Sequence, residues 1–316
     1  MKDIVKSSDS NRVLIIGNGF DLDLGWNTRF SDFVKSDYWP INRHSGSILE
    51  YLKGRQRVSN WFDIEAEIGK FASDPNRRHQ SLTTVKLNED YFNKLVEGFK
   101  DYLINEIKEN IKVDCVAAIV FSEILRNRNF KSIYSFNYTD LYNIAQRMNI
   151  RTDFLYEHVH GSIKDDTIII GAPEDKELNI GYEFLYKTFS ANYQSNNLIY
   201  DLRDAKEVVF FGHSLGPTDY HYFRYFFKNQ CRENMQREDA KKITIFTFDD
   251  ASRISIMKQL RLMNEQKTNL LINQNDFKII MTKNGGGQDL DDFILHLRRT
   301  SEEAQSRHII RSLSLR

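Results

Sequence analysis

Residues 11–32, NRVLIIGNGFDLDLGWNTRFSD, decide how the rest of the chain is interpreted. The run VLII at residues 13–16 is short, apolar and mostly β-branched, which is typical of a strand buried on both faces of a parallel sheet. It leads directly into Gly17, Asn18 and Gly19, where glycine permits a sharp turn and a close approach of backbone to a ligand. A helix can begin after this turn. Strand, glycine turn and helix together are typical of a phosphate site, because free amides at a helix start favour an anion.

The glycine motif is only part of the dinucleotide-binding fingerprint. That fingerprint spaces its glycines as G-x-G-x-x-G, whereas Gly25 follows Gly19 by six residues. Asp21 stands where a diphosphate would meet the free amides of the helix. Two interpretations of Asp21 stay open: it caps its own helix, or it bonds ribose hydroxyls while the glycine amides take the phosphate.

The composition describes a globular protein without a global charge. Lys plus Arg and Asp plus Glu both number 44 in 316 residues, so the net charge of zero gives no field that would favour nucleic acid. Cys115 and Cys231 give neither a disulfide framework nor a zinc spacing, which indicates a reducing compartment and predicts no metal site. Neither a signal-peptide core nor a transmembrane-length apolar run is visible, so we expect a cytoplasmic protein without a membrane partner.

Short apolar strands alternate with helices along the rest of the chain. The strands predicted after the first are Ser132–Phe136, Phe154–Val159, Glu207–Phe211, Ile243–Phe248 and Phe277–Met281. This alternation predicts a single α/β domain over residues 1–316, a Rossmann-like parallel sheet covered by helices on both faces. Residues from about 28 to 129 are predicted to form a helical insertion after the first strand–helix unit, with a helix at 87–111, and residues 300–316 a polar tail. The insertion displaces the second strand, which argues against an ordinary dehydrogenase.

Glycine and polar residues follow four of the predicted strands. Because ligands bind beyond the carboxyl ends of strands in an open parallel sheet, we expect these residues to meet. His160, which precedes Gly161, is a candidate general base, or it bonds a neighbouring carbonyl and organises the turn. Asn137 is a candidate for holding a ribose hydroxyl or a water, or it caps the next helix, for which Asp140 is the better candidate.

Ser214 allows a competing hydrolase interpretation. GHSLG at residues 212–216 matches the G-x-S-x-G nucleophile elbow and follows an apolar strand. Two features oppose this interpretation: Ser214 has no obvious acid and base partner in the sequence, and Pro217-Thr218-Asp219 intervenes before the next helix. Asp219 is predicted to be the N-cap of that helix.

Five motifs follow one another along the chain: GNGFDLDLGWNTRFSDF at 17–33, NWFDIE at 60–65, SFNYTD at 135–140, HVHGS at 158–162 and FFGHSLGPTDYHYF at 210–223. In this order they resemble the AbiH family of bacterial phage abortive-infection proteins. The order is also similar to a divergent sirtuin-like nucleotide-binding fold. In that fold a glycine turn, an Asn at a strand end, a His-Gly and a Gly-x-Ser line one NAD pocket.

The resemblance implies a role for each motif. His160 would be the catalytic base, and Asn137 would contact the ribose next to nicotinamide. The residues that would bind the cofactor are Gly17, Asn18, Gly19, Asp21, Gly212 and Ser214. The chain departs from the sirtuin-like pattern at Thr139, where that pattern has Asp, and at residues 27–30, where it has Pro-Asp-Phe-Arg. The zinc-binding cysteines of true deacetylases are also absent, so lysine deacetylation is not expected.

Three functional hypotheses follow. The first is an antiphage effector that binds NAD and hydrolyses its nicotinamide–ribose bond, with His160 as the base. The second is a sensor that binds a nucleotide in the same pocket without turnover, while the insertion recognises a phage-derived trigger or a second subunit of a homo-oligomer. The third is a serine hydrolase that uses Ser214.

Overall fold

The computed structural model describes residues 11–57, 63–107, 110–128, 130–151 and 153–314. Its strands are β1 (Arg12–Ile16), β2 (Ser132–Ser135), β3 (Glu157–His158), β4 (Glu207–Phe211), β5 (Lys242–Thr247) and β6 (Asp276–Met281). They form a six-stranded sheet in the order β3-β2-β1-β4-β5-β6, and every neighbouring pair is parallel. This order is that of the dinucleotide-binding Rossmann sheet, in which the two halves run outward from the pair β1 and β4. The predicted α/β, Rossmann-like architecture is confirmed.

Helices connect the strands and cover the sheet. They are α1 (Gly19–Asp23), α2 (Phe30–Phe33), α3 (Ile48–Gln56), α4 (Ile64–Ala72), α5 (Leu82–Glu106), α6 (Val116–Asn127), α7 (Leu141–Arg147), α8 (Leu198–Asp204), α9 (Tyr220–Asn229), α10 (Asp250–Met263), α11 (Thr268–Gln274) and α12 (Gly287–Ser314). Helices α2 to α6 lie between α1 and β2, where the sequence places the helical insertion.

Strand β1 lies at the centre of two apolar layers. Val13 and Ile15 face the layer that contains α9, whereas Leu14 and Ile16 face the layer that contains α6. All four side chains are at most 1% exposed. A strand buried on both faces has no polar side, which explains the uninterrupted apolar run that opens the sequence.

The insertion has a third apolar core of its own. Phe33, Phe71 and Phe99 are fully or almost fully buried in it, at 0%, 0% and 1% exposure. Ile170 and Leu185, from the segment between β3 and α8, belong to the same core. The insertion is therefore packed against the chain that leaves the carboxyl end of β3, and its residues reach that edge of the sheet.

Three elements differ by more than one residue from the boundaries that the sequence predicts. Strand β3 has two residues rather than six, because it is an edge strand that pairs only with β2. Helix α5 covers Leu82–Glu106 instead of 87–111, because the hydroxyl of Ser81 accepts a hydrogen bond from Thr84 N and caps an earlier start. Helix α12 continues through the segment predicted as a polar tail, to residue 314. Residues 60–62 of the NWFDIE motif lie outside the described residues.

The glycine turn after β1 packs directly against the turn after β4. Gly17 N donates to Phe211 O at 2.9 Å, and Gly19 N donates to Gly212 O at 2.8 Å. A Cβ atom added at Gly17 would lie 2.5 Å from His213 Cα, and one added at Gly19 would lie 2.6 Å from Gly212 Cα. Backbone on both sides leaves no room for a side chain, so this contact alone requires glycine at both positions.

We expect Gly19→Ala to lower the free energy of unfolding by about 1 to 3 kcal/mol or more, because the new methyl group must displace backbone of a neighbouring strand end. Urea unfolding followed by circular dichroism measures the change. Gly54→Ala is the matched control, since a Cβ there meets nothing within 4 Å in helix α3. That control should raise stability by up to about 1 kcal/mol. Equal stability of the two variants would contradict the packing argument.

Candidate functional site

A buried carboxylate, an amide and a hydroxyl meet at the carboxyl ends of β1 and β2. Asn137 Nδ2 donates to Asp21 Oδ1 at 2.9 Å and also to Gly17 O at 3.1 Å. Thr139 Oγ1 lies 3.1 Å from both carboxylate oxygens of Asp21. The exposed fractions of Asp21, Asn137 and Thr139 are 1%, 4% and 2%. We call these three residues the Asp21 group.

The Asp21 carboxyl titrates close to neutral pH. Burial raises its pKa from 3.8 to about 7, although the hydrogen bonds from Asn137 and Thr139 act in the opposite direction. Helix capping, one of the two interpretations of Asp21, does not describe this contact set, because Asn137 and Thr139 are the side-chain donors to its carboxylate. A carboxyl with this pKa can exchange a proton under physiological conditions.

The hydroxyl of Thr139 has its partner in the Asp21 group. The Thr139 hydroxyl donates to the carboxylate of Asp21, which comes from α1. A carboxylate therefore lies within hydrogen-bond distance of Asn137, supplied by a different strand end.

Asn137 also carries an unused acceptor. Its Oδ1 is buried and has no hydrogen-bond partner among the described residues. Leaving such an acceptor unpaired costs about 1 to 3 kcal/mol. A ligand donor, such as a hydroxyl, would satisfy this atom. The backbone carbonyl of Asn137 is already used, since it lies 2.9 Å from His158 Nδ1.

A second buried set of polar residues surrounds His160, and we call it the His160 group. Lys187 Nζ lies 3.1 Å from His160 Nε2, 2.8 Å from Glu65 Oε2 and 3.6 Å from Asp219 Oδ1. Asp219 Oδ1 lies 3.3 Å from His160 Nε2. The exposed fractions are 5% for His160, 2% for Lys187, 6% for Glu65 and 8% for Asp219. Four ionisable side chains thus share one desolvated site.

The charges of the His160 group depend on one another. Burial acts to lower the pKa of Lys187, but the Glu65 and Asp219 carboxylates outweigh it and raise that pKa above the usual value. Burial acts to raise the pKa of Asp219, but Lys187 and His160 hold it well below its usual range. Burial raises the pKa of Glu65 despite the neighbouring ammonium of Lys187. A charged Lys187–Asp219 pair is therefore the stable state of the site.

Asp219 is the N-cap residue of α9, as predicted, but its side chain makes no capping hydrogen bond. Its carboxylate instead turns into the His160 group, where Oδ2 lies 3.4 Å from His213 Nε2. His213 Nδ1 accepts a hydrogen bond from Leu215 N at 3.0 Å, so the ring proton is on Nε2 and points towards Asp219. The Lys187 ammonium and the Nε2–H of His213 both face this carboxylate, so it points into the site and not towards the helix end. Asp140, in contrast, caps α7 as predicted.

Sequence analysis missed three members of the His160 group as functional candidates. Glu65 lies in the motif NWFDIE and Asp219 in FFGHSLGPTDYHYF. Their place in motifs of the family could have indicated a role in the site. Lys187 opens a short 3-10 helix in an aromatic-rich segment with no motif of its own. Nothing in the local sequence indicates that its ammonium is buried.

The remaining predicted residues lie at the rim of the site. Asn18 and Ser214 are exposed on the turns after β1 and β4. Asn18 Oδ1 accepts a hydrogen bond from Thr28 Oγ1 at 2.5 Å, while its backbone amide has no partner among the described residues. The amides of Gly17 and Gly19 are already used in the contact with the β4 turn. Neither of these two amides is therefore free to bind a phosphate, as the glycine turn had suggested.

The nucleophile-elbow interpretation of Ser214 finds no partner residues. Its hydroxyl makes no hydrogen bond to any described residue, and the neighbouring His213 ring is bonded to Leu215 and Asp219 instead. The left-handed backbone positions are Gly212, with φ of 65°, and Leu215, with φ of 52°, rather than the serine itself. A strained turn centred on the serine is what the elbow requires.

Two searches over the described part of the chain give negative results. No group of three or more His, Cys, Asp or Glu side chains there could hold a metal ion. Among the helices in those same ranges, none combines the length and the apolar character needed to cross a membrane.

Asp21→Asn should stabilise the protein in a pH-dependent way. Because the folded pKa of about 7 lies above the ordinary value of 3.8, ionisation of Asp21 is disfavoured in the folded state. This cost is absent below about pH 4, grows as the pH rises and is complete above about pH 7, where it reaches about 4 kcal/mol as an upper bound. We therefore expect Asp21→Asn to gain more unfolding free energy at about pH 8 than at about pH 5.

Denaturant unfolding of the wild-type protein and the variant at both pH values measures this difference. Asp291→Asn, at an exposed carboxylate of α12, is the control and should change stability by the same small amount at both. An equal gain in the free energy of unfolding of Asp21→Asn at the two pH values would contradict the raised pKa of the Asp21 carboxyl.

Comparison with known proteins bears on the family. A search of curated proteins gives no match. Among solved structures, the chain is similar to a Sir2 homolog in complex with NAD, with 12% identity, a TM-score of 0.38 and coverage of 93% of this chain and 92% of that chain. It is also similar to a structure described under the mechanism and regulation of Sir2 enzymes, with 14% identity, a TM-score of 0.31 and coverage of 84% and 94%. The bacteriophage abortive infection family AbiH matches residues 13–238, which is most of the chain, and the protein belongs to this family.

Proposed function

We propose that this abortive-infection protein binds NAD at the carboxyl edge of its sheet and hydrolyses the nicotinamide–ribose bond in the cytoplasm of an infected cell. One observation carries the proposal. The Asp21 group lies at the carboxyl ends of β1 and β2, and the His160 group is joined to the turn after β4 through Asp219 and His213, so the two groups flank the point where the strand order of a Rossmann sheet reverses, between β1 and β4. In open α/β sheets this is where ligands bind.

The binding roles follow from which atoms are free. The unpartnered Oδ1 of Asn137 would accept a hydrogen bond from a ribose hydroxyl. The exposed turns that carry Asn18 and Ser214 would offer the amide of Asn18 and the hydroxyl of Ser214 to the phosphates. The surface under the phosphates would be free of side chains, because it is formed by Gly17, Gly19 and Gly212. Asp21 would set the charge beside the ribose, since its pKa lies near 7.

The chemistry is the displacement of nicotinamide by water. The bond between the nicotinamide nitrogen and the ribose carbon breaks, and the electron pair leaves with nicotinamide. The water oxygen bonds to that ribose carbon, and one water proton passes to His160. The products are nicotinamide, ADP-ribose and a proton, which balances atoms and charge. A positioned base of this kind contributes about 10²- to 10⁴-fold in rate.

Asp219 would support His160 in this step. An imidazole that accepts a proton becomes a cation, and the Asp219 carboxylate lies 3.3 Å from its Nε2. The low pKa of Asp219 keeps this carboxylate charged. An acid that orients and compensates the base is a general feature of histidine catalysis.

A second candidate function is nucleotide binding without turnover. The observation that favours it is the state of His160, which is buried and has its Nε2 within 3.1 Å of Lys187 Nζ. In that case the pocket would serve as a sensor, and the insertion would recognise a phage component or a second copy of the chain. NAD binding without the release of nicotinamide during infection would distinguish this function from the first.

We expect NAD to fall and ADP-ribose to rise when cells that carry the wild-type protein are infected with a phage it restricts. His160→Ala and Asn137→Ala should each reduce this conversion by about 100-fold or more, because the base or the ribose contact is lost. Mass spectrometry of cell extracts measures NAD, nicotinamide and ADP-ribose over the course of infection.

His79→Ala is the matched control, since it makes the same change at an exposed loop position of the insertion. It should protect cells and deplete NAD as the wild-type protein does. Protection by the wild-type protein with an unchanged NAD level would contradict the hydrolase proposal, and so would normal depletion by His160→Ala.

A further inference from the structure

The imidazole of His160 faces two different partners through a single nitrogen. Nε2 lies 3.1 Å from Lys187 Nζ and 3.3 Å from Asp219 Oδ1. A ring nitrogen carries either a proton, which it can donate, or a lone pair, which can accept, so it cannot serve the ammonium and the carboxylate in the same way. One of the two contacts must decide whether Nε2 carries a proton or a lone pair.

The hydrogen-bond geometry selects Lys187. Lys187 Nζ lies within hydrogen-bond distance of Nε2 and its ammonium can only donate, whereas the Asp219 carboxylate already faces the Nε2–H of His213 through Oδ2. Nε2 therefore uses its lone pair to accept from the ammonium, and in a neutral ring the proton is then on Nδ1. A protonated Nδ1 can offer a proton but cannot take one.

We propose that Lys187 is a positioning residue that holds His160 in the Nδ1–H tautomer and so keeps the base of the proposed NAD hydrolysis inactive. The inference rests on the proposed function for its consequence, but the tautomer itself follows from the contacts alone. The protein described here would then be in its resting state.

Lys187 is fixed by contacts along its whole length. Its ammonium pairs with Glu65 Oε2 at 2.8 Å, and both side chains are almost completely buried. A Cβ added at Gly171 would lie 2.9 Å from Lys187 Cγ, so the stem of the lysine fills the space that a side chain at 171 would need. The raised pKa of Lys187 keeps it a charged donor.

The anchor of Lys187 belongs to the insertion. Glu65 lies in the first turn of α4, and its Oε1 also accepts from Gly171 N at 3.4 Å. A movement of α4 would withdraw the partner of Lys187, because a buried ammonium follows its carboxylate or is left unpaired, which is strongly unfavourable. Nε2 of His160 would then be free to accept a proton or to turn to Asp219. A component bound by the insertion would in this way control the site.

The other surroundings of the His160 ring leave this control to Lys187. The Phe136 ring packs edge-on at 5.2 Å between centroids, and the Tyr222 ring lies at 6.4 Å. His213 is locked by its own bonds to Leu215 and Asp219. Among these groups, Lys187 is the one that connects His160 to the insertion.

Nitrogen NMR of histidine-labelled full-length protein tests the tautomer without reference to NAD. The expected result for the wild-type protein is an unprotonated Nε2 and a protonated Nδ1 at His160, assigned by comparison with His160→Ala. In the double variant Glu65→Gln/Lys187→Met, which removes both charges of the buried pair together, the Nε2 signal should shift towards the protonated form. Glu65→Gln alone is the milder variant if the double variant does not fold.

The same two variants test the consequence. Each should release nicotinamide from NAD in the absence of phage, at about 10-fold or more above the wild-type protein. Lys100→Met is the matched control, because Lys100 forms an exposed ion pair with Asp166 that also joins the insertion to the segment after β3. It should leave both the His160 signals and the basal rate unchanged.

Two results would overturn the proposal. A protonated Nε2 at His160 in the wild-type protein would show that Asp219, and not Lys187, sets the ring. A shifted signal in the variants with no rise in basal NAD hydrolysis, in a protein that depletes NAD during infection, would show that Lys187 does not restrain the base. Failure of NAD depletion by the wild-type protein concerns the proposed function instead and leaves the tautomer result standing.

Discussion

The direct backbone contact between two strand-end turns is the constraint on which the rest of the structure depends. Gly17 and Gly19 lie against Gly212 and His213 so closely that neither glycine could carry a Cβ. This contact closes the space between β1 and β4 and fixes where the next side chains can go. Asp21, one turn further, is brought to Asn137, and His213 is brought to Asp219. The positions of the Asp21 group and the His160 group therefore both depend on this close contact between the two turns.

This contact also changes what the glycine motif means. A glycine turn after a buried strand suggests a phosphate cradle, yet here the amides of Gly17 and Gly19 bond to Phe211 and Gly212. Glycine is needed at both positions because backbone lies there, whether or not a ligand is bound. The polar atoms that remain unpaired, above all Asn137 Oδ1, are therefore stronger indicators of binding than the glycines themselves.

Much of the fold was predictable, because it is encoded locally. An apolar run without polar interruptions requires burial on both faces, and β1 is buried in this way. The alternation of strands and helices predicted the parallel sheet. The His160 group was not predictable, since Glu65, Lys187 and Asp219 come from three distant segments and only the packing of the insertion brings them together. Asp219 illustrates the difficulty: it is the N-cap residue of α9, as its position predicts, but its carboxylate faces the buried charges around it and makes no capping hydrogen bond.

The shared core of the insertion has a consequence for the order in which the chain folds. Its aromatic residues, such as Phe33 and Phe99, are synthesised well before Ile170 and Leu185, which complete the same core. On the ribosome, the insertion must wait with apolar surface uncovered until the segment after β3 has emerged, a situation in which nascent chains are prone to aggregate. The segment that supplies Lys187 is thus also the one that closes the insertion. When the core of the insertion is completed during synthesis, Lys187 is therefore placed beside His160 in the same step.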